Sequence, residues 1–281
     1  MEIIGQSLPR ADGWEKVTGQ AVYALDFKLP GMLYAKVLRS PLAHARVLNV
    51  DTEKAARLKG VRALATGRES NLRRYGGAIA DSYFIAWDKV RFIGEPVAAL
   101  AAVDEDTASE ALELIKVDYE ELPPVFDSVA AMEPTAPLLH QGLAEYRCSP
   151  RAQPVPGTNI AGFFKLRKGD IQSGFAQADE IFEKEYRCQK AQHCPMEVHN
   201  ATAKADATGK ITVWTCTQAP FLVRASLCEG LGVASDKIRV IATYCGGGFG
   251  GKTGARMEPL AALFALKANG RPVKAVMTRE E

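Results

Sequence analysis

The sequence lacks a strong charge of one sign and a long apolar run, and its first residues lack the features of a signal peptide. Its formal net charge is only +2, and like charges are not clustered, so no surface for nucleic acid is expected. No apolar stretch has the length of a membrane span, and residues 1–6 lack the basic start and apolar core of a signal peptide. We therefore expect a cytoplasmic protein without nucleic-acid or membrane partners.

Paired metal-binding cysteines and histidines are also missing. The 6 cysteines include no Cys-x-x-Cys, which argues against a zinc site or an iron–sulfur cluster in this chain. In a reducing compartment we expect most of them to be small buried hydrophobic residues. The 4 histidines show no zinc spacing either, and structural hydrogen bonding is their expected role.

Glycine, by contrast, is concentrated in one place, between residues 246 and 251, where only Phe249 interrupts the run. An ordinary turn does not need so many glycines, so the pattern indicates that bare peptide N–H groups approach an anionic ligand closely. An apolar strand over residues 238–243 is predicted before the run, and a helix over residues 258–268 after it.

The glycine run leaves several interpretations open. Gly246 and the sequence Gly251-Lys252-Thr253 fit the phosphate-loop pattern GxxxxGK[ST], which predicts nucleotide binding. No later strand supplies the aspartate that would hold magnesium. The loop alone therefore supports a nucleotide and another anionic cofactor equally, while a simple tight turn is the third possibility.

Periodicity predicts two units, at residues 1–130 and 159–281, joined by a connecting segment at 131–158 that is rich in Pro, Ala and Gly. The first unit mixes strands and helices: strands are predicted at 32–39, 45–50, 61–66, 89–92, 96–103 and 116–120, and helices at 52–58 and 107–115. In the second unit, besides the elements flanking the glycine run, helices are predicted at 171–178 and 221–229, and strands at 180–189, 196–205, 210–216 and 272–278.

Separated blocks of the sequence resemble the molybdenum-binding large subunit of the xanthine dehydrogenase and aldehyde oxidase family. Residues 30–41, 94–98 and 117–123 are similar to its a/b hammerhead domain. Residues 196–201 and 217–218, with the glycine run, resemble the start of its molybdopterin-binding domain. The resemblance implies an α+β fold, with a hammerhead domain followed by the first part of a molybdopterin-binding α/β domain.

The resemblance also implies a cofactor site. Gln218 would donate a hydrogen bond to an oxygen ligand of molybdenum, and the amides of Phe249 and Gly250 would face the cofactor. Gly248 and Gly251 belong to the same binding loop. Gln218 and Phe249 would thus surround the metal without ligating it, as an amide donor and backbone N–H groups suit an anionic oxo-metal and pterin.

What the family does sets the functional expectation. The chain would be part of a hydroxylase that oxidises an aldehyde or N-heterocycle with water as the oxygen source, using molybdopterin, in the dinucleotide form by expectation. The general-base glutamate is expected outside this chain, in the remaining part of the molybdenum subunit. Iron–sulfur clusters and FAD are expected on partner chains. Purine-oxidising members have a glutamate after the loop lysine, where this sequence has Thr253, which counts against xanthine as substrate.

Two rival functions belong to other classes. A phosphate-loop protein would bind nucleotides through Lys252, and a non-catalytic scaffold would only organise partner subunits. Neither rival needs the blocks upstream of the glycine loop, and for that reason the molybdenum enzyme is favoured. A chain that forms only part of a site is also expected to expose apolar surface and to aggregate without its partner.

Overall fold

The computed structural model describes residues 3–68 and 72–281. Its helices and strands alternate along much of the chain, so the predicted mixture of α and β structure is confirmed. In chain order the elements are α1 (Gly13–Val17), β1 (Leu33–Arg39), β2 (Ala45–Asp51), α2 (Glu53–Arg57), β3 (Val61–Thr66), β4 (Lys89–Val90), β5 (Pro96–Ala102), α3 (Glu105–Glu113), β6 (Lys116–Glu121), α4 (Ile171–Ala176), β7 (Asn200–Ala205), β8 (Ile211–Thr215), α5 (Pro220–Leu231), β9 (Ile238–Ala242), α6 (Glu258–Lys267) and β10 (Val273–Val276).

The main sheet has 7 strands in the order β3-β5-β1-β10-β7-β8-β9. Its centre is the parallel pairing of β1 with β10, in which Leu33 lies opposite Val273 and Ala35 opposite Ala275. Strands from both predicted units therefore share one sheet. A parallel contact between strands so far apart in sequence has no local signal, since periodicity marks a strand but not its neighbour. A second sheet holds β4, β2 and β6.

The hydrophobic core lies between the main sheet and α6. Every residue of this helix from Glu258 to Ala265 is buried, which suits a helix that is apolar on nearly all sides. Its alanines and Phe264 pack with Leu33, Val213 and Val273 of the sheet. Strand β9 precedes the glycine run and α6 follows it, so this packing fixes both ends of the run.

Local sequence signals account for the ends of several helices. The carboxylate of Asp104 accepts a hydrogen bond from the Thr107 amide and caps α3, as its acidic first turn predicts. Pro220 begins α5, and Gly232 ends it in the left-handed conformation at φ 68°. Because α5 starts immediately after β8, residues 216–219 are held at a strand-to-helix junction.

Three predicted features are wrong. Residues 180–189 form no strand, although their alternating pattern predicted one, and the strand predicted from residue 196 begins only at Asn200. Cysteines are also less buried than expected: in the described part of the chain only Cys216 is buried, while Cys188 and Cys194 are exposed. These two cysteines lie in the same stretch as the missing strand, which has no element packed against it.

Candidate functional site

The glycine run forms an irregular loop between β9 and α6. Gly247 and Gly250 have φ values of 99° and 86°, and Phe249 has a φ of 50°, which is uncommon for a residue with a side chain. The Gly251 amide donates to the Gly248 carbonyl at 2.7 Å and closes a tight turn around Phe249. The turn presents the Phe249 side chain to solvent at 72% exposure.

Gln218 lies against this loop from the neighbouring strand-to-helix junction. Its Oε1 accepts hydrogen bonds from the amides of Gly250 at 3.1 Å and Lys252 at 3.3 Å. Since both partners are N–H donors, the carboxamide oxygen must face the loop, and Nε2 is left as an outward donor. Gln218 also donates its own backbone N–H to the Lys252 carbonyl at 2.9 Å. The loop therefore sets the orientation of the Gln218 amide.

Three consecutive amides of the loop have no acceptor in the part of the chain that the structure describes: those of Gly247, Gly248 and Phe249. The predicted pair of free amides was Phe249 and Gly250. The Gly250 amide instead donates to Gln218 Oε1. The N–H group that was expected to face a ligand therefore orients the glutamine side chain. Within residues 246–251 the available donors are thus three backbone N–H groups, with Gln218 Nε2 beside them.

Close packing explains why positions 246 and 248 of the loop are glycine. A Cβ on Gly248 would lie 2.4 Å from Cδ of Gln218, and a Cβ on Gly246 would lie 2.5 Å from Cβ of Glu197. Neither distance is sterically possible without displacing the neighbouring residue. At Gly254, just past the loop, nothing lies within 4 Å of the corresponding position.

A buried ion pair lies beneath the loop. Lys252 Nζ and Glu197 Oε2 are 3.3 Å apart, and their side chains are only 1% and 7% exposed. The same Glu197 oxygen accepts the Gly246 amide at 2.7 Å, and Asn200 Nδ2 donates to Glu197 Oε1 at 3.3 Å. Glu197 thus neutralises the lysine and holds the first glycine of the run.

This ion pair removes the basis of the phosphate-loop interpretation. The phosphate-loop interpretation requires Lys252 to face an anionic ligand, but its ammonium group is buried on Glu197. In addition, α6 begins at Glu258 rather than directly after Thr253, whose hydroxyl donates to the Gly250 carbonyl at 3.1 Å. Lys252 and Thr253 are therefore used within the protein, and the pattern match is coincidental.

Further contacts tie the loop to the core. Glu258, buried at the start of α6, accepts hydrogen bonds from Thr215 Oγ1 at 2.6 Å and from the Arg256 amide at 2.7 Å. Thr217 Oγ1 donates to the Lys252 carbonyl at 3.1 Å. Sequence patterns assign no role to Glu258 or Thr217, and they leave Glu197 without one. A buried carboxylate has no local sequence signal unless its partner is known.

The histidines differ in their surroundings. Nδ1 of His44 lies 2.7 Å from the Pro123 carbonyl and Nδ1 of His140 lies 3.3 Å from the Tyr146 hydroxyl, so structural hydrogen bonding is confirmed for these two. His193 borders the glycine loop, since a Cβ on Gly251 would approach its ring to 3.1 Å. Burial lowers the pKa of His199 to about 4, with repulsion from Lys252 as a further cause.

The site has the donors for an anionic group. Among residues 3–68 and 72–281, no cluster of three or more His, Cys, Asp or Glu side chains is placed to hold an ion. Three unpaired N–H groups and a fixed amide donor fit an anionic cofactor.

Comparison with known proteins is decisive for the family. Residues 18–123 match the profile of the aldehyde oxidase and xanthine dehydrogenase a/b hammerhead domain, and residues 152–281 match that of the molybdopterin cofactor-binding domain. The chain belongs to the xanthine dehydrogenase and aldehyde oxidase family. It corresponds to the N-terminal part of the molybdopterin-binding large subunit, and the predicted fold class is confirmed. The predicted unit bounds of 1–130, 131–158 and 159–281 stay a prediction.

Relatives extend beyond this chain. A probable xanthine dehydrogenase subunit of Bacillus subtilis (strain 168) is 37% identical over 97% of this chain but only 34% of its own length. The nicotinate dehydrogenase large molybdopterin subunit of Eubacterium barkeri is 33% identical over 100% of this chain and 62% of its own length. The crystal structure of quinoline 2-oxidoreductase from Pseudomonas putida 86 superposes with a TM-score of 0.81 at 30% identity, covering 99% of this chain and 35% of that one.

The structure also bears on membrane association. Within the described ranges, no helix combines the length and the apolar character that crossing a bilayer requires.

Proposed function

We propose that this chain forms one wall of the molybdenum site of a hydroxylase that oxidises an aldehyde or an N-heterocycle with water as the oxygen source. The observation that carries the proposal is the row of unpaired amides at Gly247, Gly248 and Phe249 beside the oriented Gln218. When bound, molybdopterin with its metal supplies the two-electron oxidation chemistry.

Each residue of the loop then has a separate task. Gly247, Gly248 and Phe249 offer backbone N–H groups to the anionic cofactor, as donors fixed before binding. Gln218 offers Nε2, a neutral donor that adds no charge and cannot lose its proton. Gly250 and Lys252 do not bind the cofactor in this scheme. Their amides hold Gln218 Oε1 and so keep Nε2 directed outward. Gly251 closes the turn.

Position 253 bears on the substrate. The Thr253 hydroxyl donates to the Gly250 carbonyl, so this side chain stabilises the loop and provides no carboxylate. We propose that the substrate is not xanthine but an aldehyde or heterocycle that needs no carboxylate at this position. The relatives' names, which include xanthine, nicotinate, carbon monoxide and quinoline, support a broad range of substrates across the family.

Other components must complete the enzyme. The general-base glutamate, the rest of the molybdenum subunit, iron–sulfur clusters and FAD are proposed to lie outside this chain. Relatives whose names call them a subunit or a large chain support a multi-subunit enzyme. The pterin is proposed to be a dinucleotide.

Elemental analysis tests the proposal directly. The protein is purified from its own cells with its partners, and molybdenum is measured together with pterin fluorescence after acid release. We expect about one molybdenum and one pterin per chain, because one loop serves one cofactor. A folded complex with intact partners but neither molybdenum nor pterin would overturn the proposal. Magnesium-dependent ATP or GTP binding by the purified complex would instead support the nucleotide interpretation.

A further inference from the structure

One long stretch is exposed along nearly its whole length. Between residues 161 and 194 every residue is exposed except Ser173, which is partly covered, and α4 is the only regular element. Although the whole stretch is described, no backbone-to-backbone hydrogen bond involves residues 161–169 or 179–192. Peptide groups in a folded protein are normally paired with each other or with water, so this backbone is free to pair with another chain.

The second half of the stretch has the side-chain pattern of a strand with one mainly apolar face. Extended backbone would put Phe182, Tyr186 and Cys188 on one side together with Lys184, and Glu183, Glu185 and Arg187 on the other side together with Ile181. Phe182 and Tyr186 are 82% and 83% exposed. The alternation that predicted a strand at 180–189 is therefore present, and only the neighbouring strand is missing.

The first half is less regular. In extended backbone Phe164 and Leu166, which are 87% and 83% exposed, would share one face. Phe163 and Lys165 would share the other face, and Lys165 Nζ lies 5.1 Å from the centroid of the Phe163 ring. Between the two extended segments α4 exposes Ile171 and Phe175. So many bulky apolar side chains in one exposed stretch mark an interaction surface rather than scattered surface residues.

This inference rests on the proposed function, because it names the partner that completes the same site. We infer that residues 161–168 and 180–189 are strands that pair with the polypeptide corresponding to the remaining length of the molybdenum subunit. That occupant is favoured by length: the chain matches 97% of itself to the Bacillus relative but 34% of that relative. The relative therefore contains about twice as much further polypeptide in the same subunit, which is enough to supply an apolar sheet.

The docking surface is connected to the cofactor loop. Residues 180–189 lead directly to His193 and Pro195, which lie against the glycines: a Cβ on Gly247 would approach Cβ of Pro195 to 3.2 Å. Arg279 holds the end of this connection, with Nη1 and Nη2 donating to the carbonyls of Pro195 and Met196 at 2.9 and 2.8 Å. Pairing of the stretch with its partner would thus fix the residues that border the loop.

Hydrogen exchange tests this inference on the protein isolated from its own cells with the polypeptide that completes the subunit, whether separate or in the same chain. Amides of residues 180–189 are expected to exchange at least about 100-fold more slowly than unprotected peptide amides, because strand pairing protects them. Lysine cross-linking at Lys165 and Lys190 is expected to give peptides from the completing polypeptide. Unprotected exchange in the intact protein, or cross-links only to a second copy of this chain, would overturn the inference.

A pair of variants separates the two faces. Phe182→Ser with Tyr186→Ser is expected to reduce the amount of completing polypeptide that co-purifies, or to expose residues 180–189 to exchange. Glu183→Ser with Arg187→Ser, on the charged face, is the matched control and is expected to leave both readouts unchanged. Equal behaviour of the two variants would contradict an apolar docking face. Because none of these readouts requires molybdenum, protection without the metal would refute the proposed function but not the pairing.

Discussion

The glycine loop and the stretch at 161–194 are both largely irregular in backbone, yet they differ in what holds them. Around the loop, Glu197, Gln218 and Lys252 pair with backbone and with each other, and two of them are buried. In the other stretch, bulky apolar side chains face solvent and the backbone is unpaired over most of its length. Buried polar partners thus hold the glycine loop in one conformation. In the described part of the chain, the stretch at 161–194 has no comparable buried partners.

The largest expected effect comes from breaking the buried ion pair. Lys252→Met leaves the Glu197 carboxylate buried without its cation, which is expected to lower the free energy of unfolding by about 3–5 kcal/mol. Urea unfolding of the purified protein with its partners measures the change. Lys190→Met, in the exposed stretch, is the matched control and should change stability by no more than about 0.5 kcal/mol.

A double variant tests whether stability depends on the pairing of the two charges rather than on the lysine itself. Glu197→Gln combined with Lys252→Met removes both charges and is expected to recover part of the lost stability, because the amide oxygen can still accept the Gly246 N–H. If Lys252→Met were as harmless as Lys190→Met, the claim that this region is held by buried polar partners would be wrong.

An intermediate effect is expected from changing the donor on Gln218. Gln218→Glu keeps an oxygen that accepts the Gly250 and Lys252 amides, but it replaces the Nε2 donor with an anionic oxygen. We expect nearly unchanged unfolding and a roughly 10–100-fold weaker retention of the anionic cofactor, as for other residues that surround a metal. Molybdenum and pterin remaining after dialysis report the loss. Gln172→Glu, on exposed α4, is the control, and equal retention in both variants would contradict the assigned orientation.

The smallest effect concerns pH. Burial lowers the pKa of His199 from its ordinary value of 6.5 to about 4, so between these values the unfolded chain binds more protons than the folded one. The stability that neutral His199 contributes is complete above about pH 6.5 and is lost as the pH falls toward 4.

His199→Gln tests this sign. It is expected to reduce the loss of stability between pH 7 and pH 5 in urea unfolding, because glutamine does not titrate. His193→Gln, on an exposed histidine of the same segment, controls for the introduced glutamine. A steeper loss of stability in His199→Gln than in the unmodified protein would contradict the assignment.

Sequence patterns predicted what depends on local periodicity and failed where a distant partner decides. Strand β9, helix α6 and the junction that carries Gln218 follow from apolar spacing, and all three are confirmed. The central pairing of β1 with β10 and the ion pair of Lys252 with Glu197 join residues remote in sequence, which no local pattern specifies. The strand predicted at 180–189 is absent because an alternating pattern indicates only a preference for extended backbone. A strand forms when a neighbouring strand pairs with that backbone.

The site was predictable in its composition but not in its internal assignments. Glycine density and the family resemblance pointed to Gln218, Gly248, Phe249, Gly250 and Gly251 together. Which amides stay free depends on where the Gln218 carboxamide turns, and that is decided by two hydrogen bonds across the loop. The match to the phosphate-loop sequence pattern was misleading because the pattern does not show that Lys252 is buried.

If the glycine loop with Gln218 binds molybdopterin, two glycine variants should differ in their molybdenum content. Gly248→Ala places a Cβ 2.4 Å from Cδ of Gln218 and must displace it, whereas Gly254→Ala meets nothing within 4 Å. We expect Gly254→Ala to retain molybdenum and pterin like the unmodified protein, and Gly248→Ala to lose most of both while remaining folded. Full retention of molybdenum and pterin in a folded Gly248→Ala protein would contradict molybdopterin binding by the loop.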